Sequence, residues 1–188
     1  VIKHSGYCLS PERIREKAQR NLELLSRQIQ SDPDDGLSLF HAGEAHSMLG
    51  QYHQAVDYYE RALKTKRLPI GIRPVVFQNL GSALIKLGDY ENALVSLKKS
   101  LELNPQLSSA HILAASAYFA MKRYQKASRE IETYIEKSRT SWRAGPLIHK
   151  PDIYRALVLL ARCKIASGDV SDAVNLLSDA VGIDPEAQ

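Results

Sequence analysis

Apolar and polar positions alternate at steps of three and four along most of the chain. Between Pro74 and Leu107 it reads PVVFQNLGSALIKLGDYENALVSLKKSLELNPQL. Phe77, Leu80, Gly81, Leu84 and Leu87 fall on one helical face, because residues three and four apart stack along a helix. Tyr90, Ala93, Leu94, Leu97 and Leu101 do the same in a second segment. Gly88-Asp89 separates the two, and Asn104-Pro105 ends the second, since proline disfavours a helical residue before it. The small residues Gly81 and Ala93 stand where two paired helices must come close. The pattern predicts an αα-hairpin with one apolar side.

That hairpin recurs. Shifted by 34 residues, Ala115 falls on Gly81, Tyr124 on Tyr90, Ala127 on Ala93 and Ile131 on Leu97. Gly43, Gly50, Tyr52, Ala55, Tyr59 and Ala62 keep the same spacings upstream, as do Ala161, Gly168-Asp169, Ala173, Leu177 and Ala180 downstream. Four copies result, near residues 36–65, 74–107, 108–137 and 154–187, together filling 36–188. Two links are longer than the rest, KTKRLPIGIRP and SRTSWRAGPLIHKPD, each broken by glycine and proline. Ahead of the repeats, residues 11–31 predict one more helix. Ser10-Pro11-Glu12 is a start signal, and Ile14, Ala18, Leu22, Leu25 and Ile29 form a stripe. Residues 1–10 form a leader, VIKHSGYCLS, which reads as the tail of a preceding element.

At these residues the chain resembles the tetratricopeptide repeat (TPR) family, whose unit is a 34-residue helix–turn–helix. The resemblance implies an all-α fold: a right-handed TPR superhelix (α-solenoid) of four repeats, with 11–31 as a linking or capping helix. It also implies that the first helix of each repeat lines a concave groove. The family's groove positions correspond here to Leu37, Phe40, Glu44 and Ser47, to Val75, Gln78, Ser82 and Ile85, to Ser109, Ile112, Ser116 and Phe119, and to Arg155, Val158, Arg162 and Ile165. Members that clamp a peptide's terminal carboxylate use lysine and asparagine at such places. Glu44 and Ser82 stand where asparagines would be needed, so that clamp is not implied. The mixture of Phe40, Ile112, Phe119 and Ile165 with small polar residues suits an extended peptide or an amphipathic helix.

A second resemblance covers Val1 to Asp35. Ile2-Lys3-His4-Ser5-Gly6-Tyr7, then a basic helix and Asp32-Pro33-Asp34-Asp35 before a repeat, is similar to the junction where family 2 (GT-A) glycosyltransferases pass into a C-terminal TPR region. It implies that His4 would be a metal–nucleotide ligand only if a catalytic domain precedes it. The chain starts at Val1 and lacks that domain with its D-x-D motif, so a fragment is expected. The expected function is then a non-catalytic region that binds an acceptor or partner, or dimerises. The alternative is a free-standing TPR adaptor without an enzyme.

Chemistry elsewhere is sparse. Asp32-x-Asp34 has metal-motif spacing but sits at a helix end with proline inside it, which is turn chemistry. His41, His46 and His53 are not spaced as an i, i+4 zinc pair. No catalytic residue, metal or cofactor is implied. The two cysteines, Cys8 and Cys163, make no framework, and a reducing, cytoplasmic setting follows as an expectation. No apolar run reaches the roughly 20 residues of a membrane span. The net charge of +4 is mild and does not indicate nucleic acid. The long links nonetheless gather a basic edge: Lys66, Arg67, Arg139 and Arg143, with Trp142 among them. The last helix would leave Val174, Leu177 and Val181 uncovered, which suggests a homodimer as a further partner choice.

Overall fold

The computed structural model describes residues 10–142 and 153–183. His4 and Cys8, Arg143 and Lys150, and the closing Asp184-Pro185 lie outside these residues. The elements are α1 (Pro11–Ser31), α2 (Gly36–Met48), α3 (Tyr52–Lys64), a 3-10 turn (Ile70–Ile72), α4 (Arg73–Lys86), α5 (Tyr90–Leu103), α6 (Ser108–Ala120), α7 (Tyr124–Trp142), α8 (Ile153–Ala166) and α9 (Val170–Ile183). No strand occurs among the described residues. Among the described residues the fold is all-α, one helix followed by four helix pairs in chain order.

One boundary differs from the sequence reading. The helix begun at Tyr124 does not stop near 137 but continues through Ser138 to Trp142. The reason is local: no proline or glycine interrupts KSRTSW, and Tyr134, Ile135 and Ser138 are buried. Arg139 and Trp142 therefore belong to a helix rather than to a link.

The chain forms two compact units, Val1–Leu87 and Gly88–Gln188. In the first, α1 packs on α2, α2 on α3 and α3 on α4. In the second, α5 packs on α6, α6 on α7, α7 on α8 and α8 on α9. The core of the second unit joins Ala115, Ala127, Ile131, Ile135, Ala156, Leu157, Leu160 and Cys163. Cys163 is a small core residue, and burial pushes its thiol above the ordinary range.

Turns between paired helices repeat one geometry. Gly50, Gly88, Lys122 and Gly168 occupy equivalent places and all have positive φ, 76°, 80°, 59° and 89°. The next amide reaches back five residues, Gln51 to His46, Arg123 to Tyr118 and Asp169 to Lys164, at 2.8–2.9 Å. This αL stop caps the carbonyls left open at a helix end. Glycine adopts it freely, whereas Lys122 does so against the steric preference of its Cβ.

Within α2–α3 the helices come close at Gly43. A Cβ there would lie 2.5 Å from the ring of Tyr59, which is itself 1% exposed. The equivalent places in α6–α7 hold Ala115 and Ile131, both fully buried. The wider tyrosine ring is matched by the loss of the methyl. Replacing Gly43 by alanine should therefore lower stability by about 1–3 kcal/mol through overpacking, read as a lower urea midpoint at unchanged slope. Lys122→Gly should act oppositely, raising stability by up to about 1 kcal/mol as strain relief outweighs added unfolded-state freedom. A lower midpoint for Lys122→Gly would contradict this account of the turn.

Candidate functional site

In the first unit the relevant faces belong to α2 and α4. The Glu44 carboxylate, on α2, lies 3.4 Å from Asn79 Nδ2 of α4, which donates to its Oε1. Its Oε2 is 2.9 Å from His41 Nδ1. The Tyr59 hydroxyl of α3 lies close enough to Glu44, Asn79 and Ser47 for each to bear on its titration. Burial, and next the Glu44 charge, hold that hydroxyl far above its ordinary pKa, while Asn79 and Ser47 pull the other way. The Glu44–Asn79 bond links α2 to α4. Glu44 and Ser47 were legible as face residues. Asn79 and Tyr59 were not. The available signal was that Asn79 is polar where the later repeats carry Leu113 and Leu159.

The other face positions divide. Phe40 is only 5% exposed and its ring lies 6.2 Å from that of Tyr59. It fills core, and the sequence reading that offered it to a groove ligand is corrected. Leu37 is exposed, and Gln78, Ser82 and Ile85 are half-buried. In the second unit, α6 and α8 bring Phe119 and Arg162 together. The Arg162 guanidinium stands 4.8 Å from the Phe119 ring centroid, and Phe119 meets Tyr124 edge-on at 5.5 Å. Ser116 turns its hydroxyl onto the Ile112 carbonyl at 3.0 Å, so it is partly spent on its own helix. Ile112 and Phe119 back onto the core, and Arg155 and Arg162 are exposed.

The basic edge changes character. Arg67 donates to Asp32 Oδ1 at 2.7 Å, and Arg73 to the Leu63 carbonyl at 2.7 Å. Thr65 Oγ1 donates to the Asp34 carbonyl at 2.9 Å. Leu68 is buried, and a Cβ on Gly36 would lie 2.8 Å from its Cα. The enlarged link is therefore fastened onto the Asp32–Asp35 turn, and two of its cations act inside the protein. Lys66 stays exposed. Lys137, at the far end of α7, donates to the Pro105 carbonyl at 2.9 Å. The side chains of Arg139 and Trp142 lie outside the described residues.

Between α5 and α6, a hollow of about 490 Å³ opens among Leu94, Val95, Leu101, Ala114 and Tyr118. Ala114 stands where the neighbouring repeats have Leu80 and Leu160. At the rim, Arg123 is paired to Glu91 at 2.9 Å, and the Glu130 carboxylate lies 2.7 Å from His111 Nδ1. Among the described residues no group of three potential metal ligands comes together, and no helix is long and apolar enough to cross a membrane.

Helix pairs, αL turns and small-for-large exchanges at the crossings make an all-α fold of the kind seen in tetratricopeptide-repeat proteins. Two tetratricopeptide-repeat models match, at residues 38–67 and 84–144. The chain is 25% identical over 120 residues to TPR repeat-containing protein MJ1428 of Methanocaldococcus jannaschii, a match over 62% of this chain and 20% of that one. It spans about a fifth of that relative's length. Its fold matches the crystal structure of MamA with a TM-score of 0.77 at 18% identity, over 97% of this chain and 98% of that one. It also matches YrrB, described as a TPR protein with an unusual peptide-binding site, with a TM-score of 0.71 at 19% identity, over 90% and 79%. At such identities the likeness is one of fold.

The turn before α2 yields a prediction. Asp35 caps α2, accepting from the Leu37 amide at 3.2 Å and the Ser38 hydroxyl at 2.6 Å. The Ser38 hydroxyl is the chief cause of its lowered pKa. A depressed carboxylate adds stability that is present above its unfolded pKa and is lost as pH falls through the folded one. Asp35→Ala should cost about 1 kcal/mol at neutral pH. The gap from the unaltered protein should close in acid, as followed by denaturation at several pH values.

Proposed function

We propose that this chain is a protein-interaction region that holds an extended peptide or amphipathic helix of a partner on the faces of its first helices. The observation that carries this reading is the Phe119–Arg162 pair. A large ring and a guanidinium from successive first helices stand together, 4.8 Å apart, with the guanidinium side chain exposed. Such aromatic and arginine pairs are the residue types that dominate binding energy at interfaces. Peptide binding by YrrB, a repeat protein of similar fold, supports the same reading. No catalytic step is assigned to the chain. The matches described give an attached glycosyltransferase, a homodimer or a nucleic-acid ligand no support, and a free-standing adaptor fits them at least as well.

The test begins with panning a randomised peptide library against the chain, followed by synthesis of the enriched peptides. For peptides bound in the second unit, Phe119→Ala and Arg162→Ala should each weaken binding about tenfold. Circular dichroism and the unfolding midpoint of Arg162→Ala should stay unchanged. Failure of every library to yield an enriched peptide would overturn the reading.

A further inference from the structure

The Glu44 network has features that a purely structural carboxylate would not need. Glu44 is the one acid of α2, and α4 has none. Its side chain is 34% exposed, so it is half withdrawn from water yet still reachable. Two hydrogen-bond contacts hold it, Asn79 on Oε1 and His41 on Oε2, out of about four acceptor directions that a carboxylate offers. Among the described residues no lysine or arginine pairs with it. Asp32, Glu91 and Asp172, by contrast, have Arg67, Arg123 and Lys164 at 2.7–3.2 Å.

The surroundings favour one kind of visitor. Ser47, Gln78 and Ser82, the nearby face positions, are uncharged. The only cations of α4 are Arg73 and Lys86, near its two ends, and Arg73 is turned to the Leu63 carbonyl. An anionic peptide terminus brought here would meet a carboxylate and no compensating lysine. A cation would meet a charge whose orientation is already set by Asn79 and His41. Preorganised, partly desolvated charges discriminate between partners mainly by repelling the wrong sign.

We propose that Glu44, oriented by Asn79 and His41, is a recognition point for a cationic group of the bound peptide, a lysine or arginine side chain or a free terminal amine. This rests on the peptide-binding reading above and names the chemistry that the first unit selects.

The experiment uses the enriched peptides from the library. Lysine or arginine should recur at one position. Replacing that residue by norleucine in the synthetic peptide, with the protein unaltered, should weaken binding about tenfold. N-terminal acetylation separates a side chain from a terminal amine as the source of the cation. Glu44→Gln keeps an acceptor for Asn79 and should weaken the lysine peptide about as much. It should leave the norleucine peptide unaffected, since the two changes remove one shared contact. Glu44→Lys should turn the preference toward a glutamate-bearing peptide. Enriched peptides without a recurrent cation, or equal binding by Glu44→Gln, would overturn this inference and leave the peptide-binding reading standing. No enriched peptide at all would overturn both.

Discussion

Two short helices bury a common face only if their backbones come near, and that distance is set by side-chain bulk at the crossing. At the α2–α3 crossing the constraint is met by an absence. Gly43 has no Cβ, and the Tyr59 ring occupies the space at what would be 2.5 Å. Because the ring sits there, its hydroxyl stands near enough to Glu44, Asn79 and Ser47 for its titration to feel them. The packing solution and the polar cluster are one arrangement. In the second unit the same place is filled by alanine against isoleucine, fully buried and wholly apolar, and no such network forms at that position.

The ends of the helices hold this arrangement in place by backbone chemistry. The αL turns at Gly50 and Gly168 stop their helices without a side chain's help, and Asp35 caps the start of α2. The long link from Thr65 to Ile72 is fastened by Arg67, Thr65 and buried Leu68. A segment that carries two positive charges, Lys66 and Arg67, is thus mostly a clasp. An ion pair of this exposed kind adds at most about 1 kcal/mol. The fastening depends as much on the burial of Leu68 beside Gly36.

Charge and burial together distinguish the two first-helix faces. The face in the first unit offers a single oriented carboxylate among uncharged polar groups. The face in the second offers guanidinium over an aromatic ring. Each unit therefore presents its own chemistry on the same backbone plan, as expected of a scaffold whose repeats share packing positions and vary the exposed ones.

The apolar period of three and four, the glycine and proline breaks and the recurrence of small residues are local properties of the chain. They were enough to predict an all-helical repeat fold and most helix boundaries. Where the boundary was misjudged, at the end of α7, the chain held no breaker, and the helix runs on past buried Tyr134, Ile135 and Ser138 to Trp142. Partnerships across 30 or more residues are not local. That Arg67 would close on Asp32, 35 residues away, that Phe40 would sink into the core, and that Asn79 would join Glu44 followed only once the helices packed. Helical period says which residues share a face. Which of them a neighbouring helix covers, and which it leaves open to a partner, is decided by the distance between backbones.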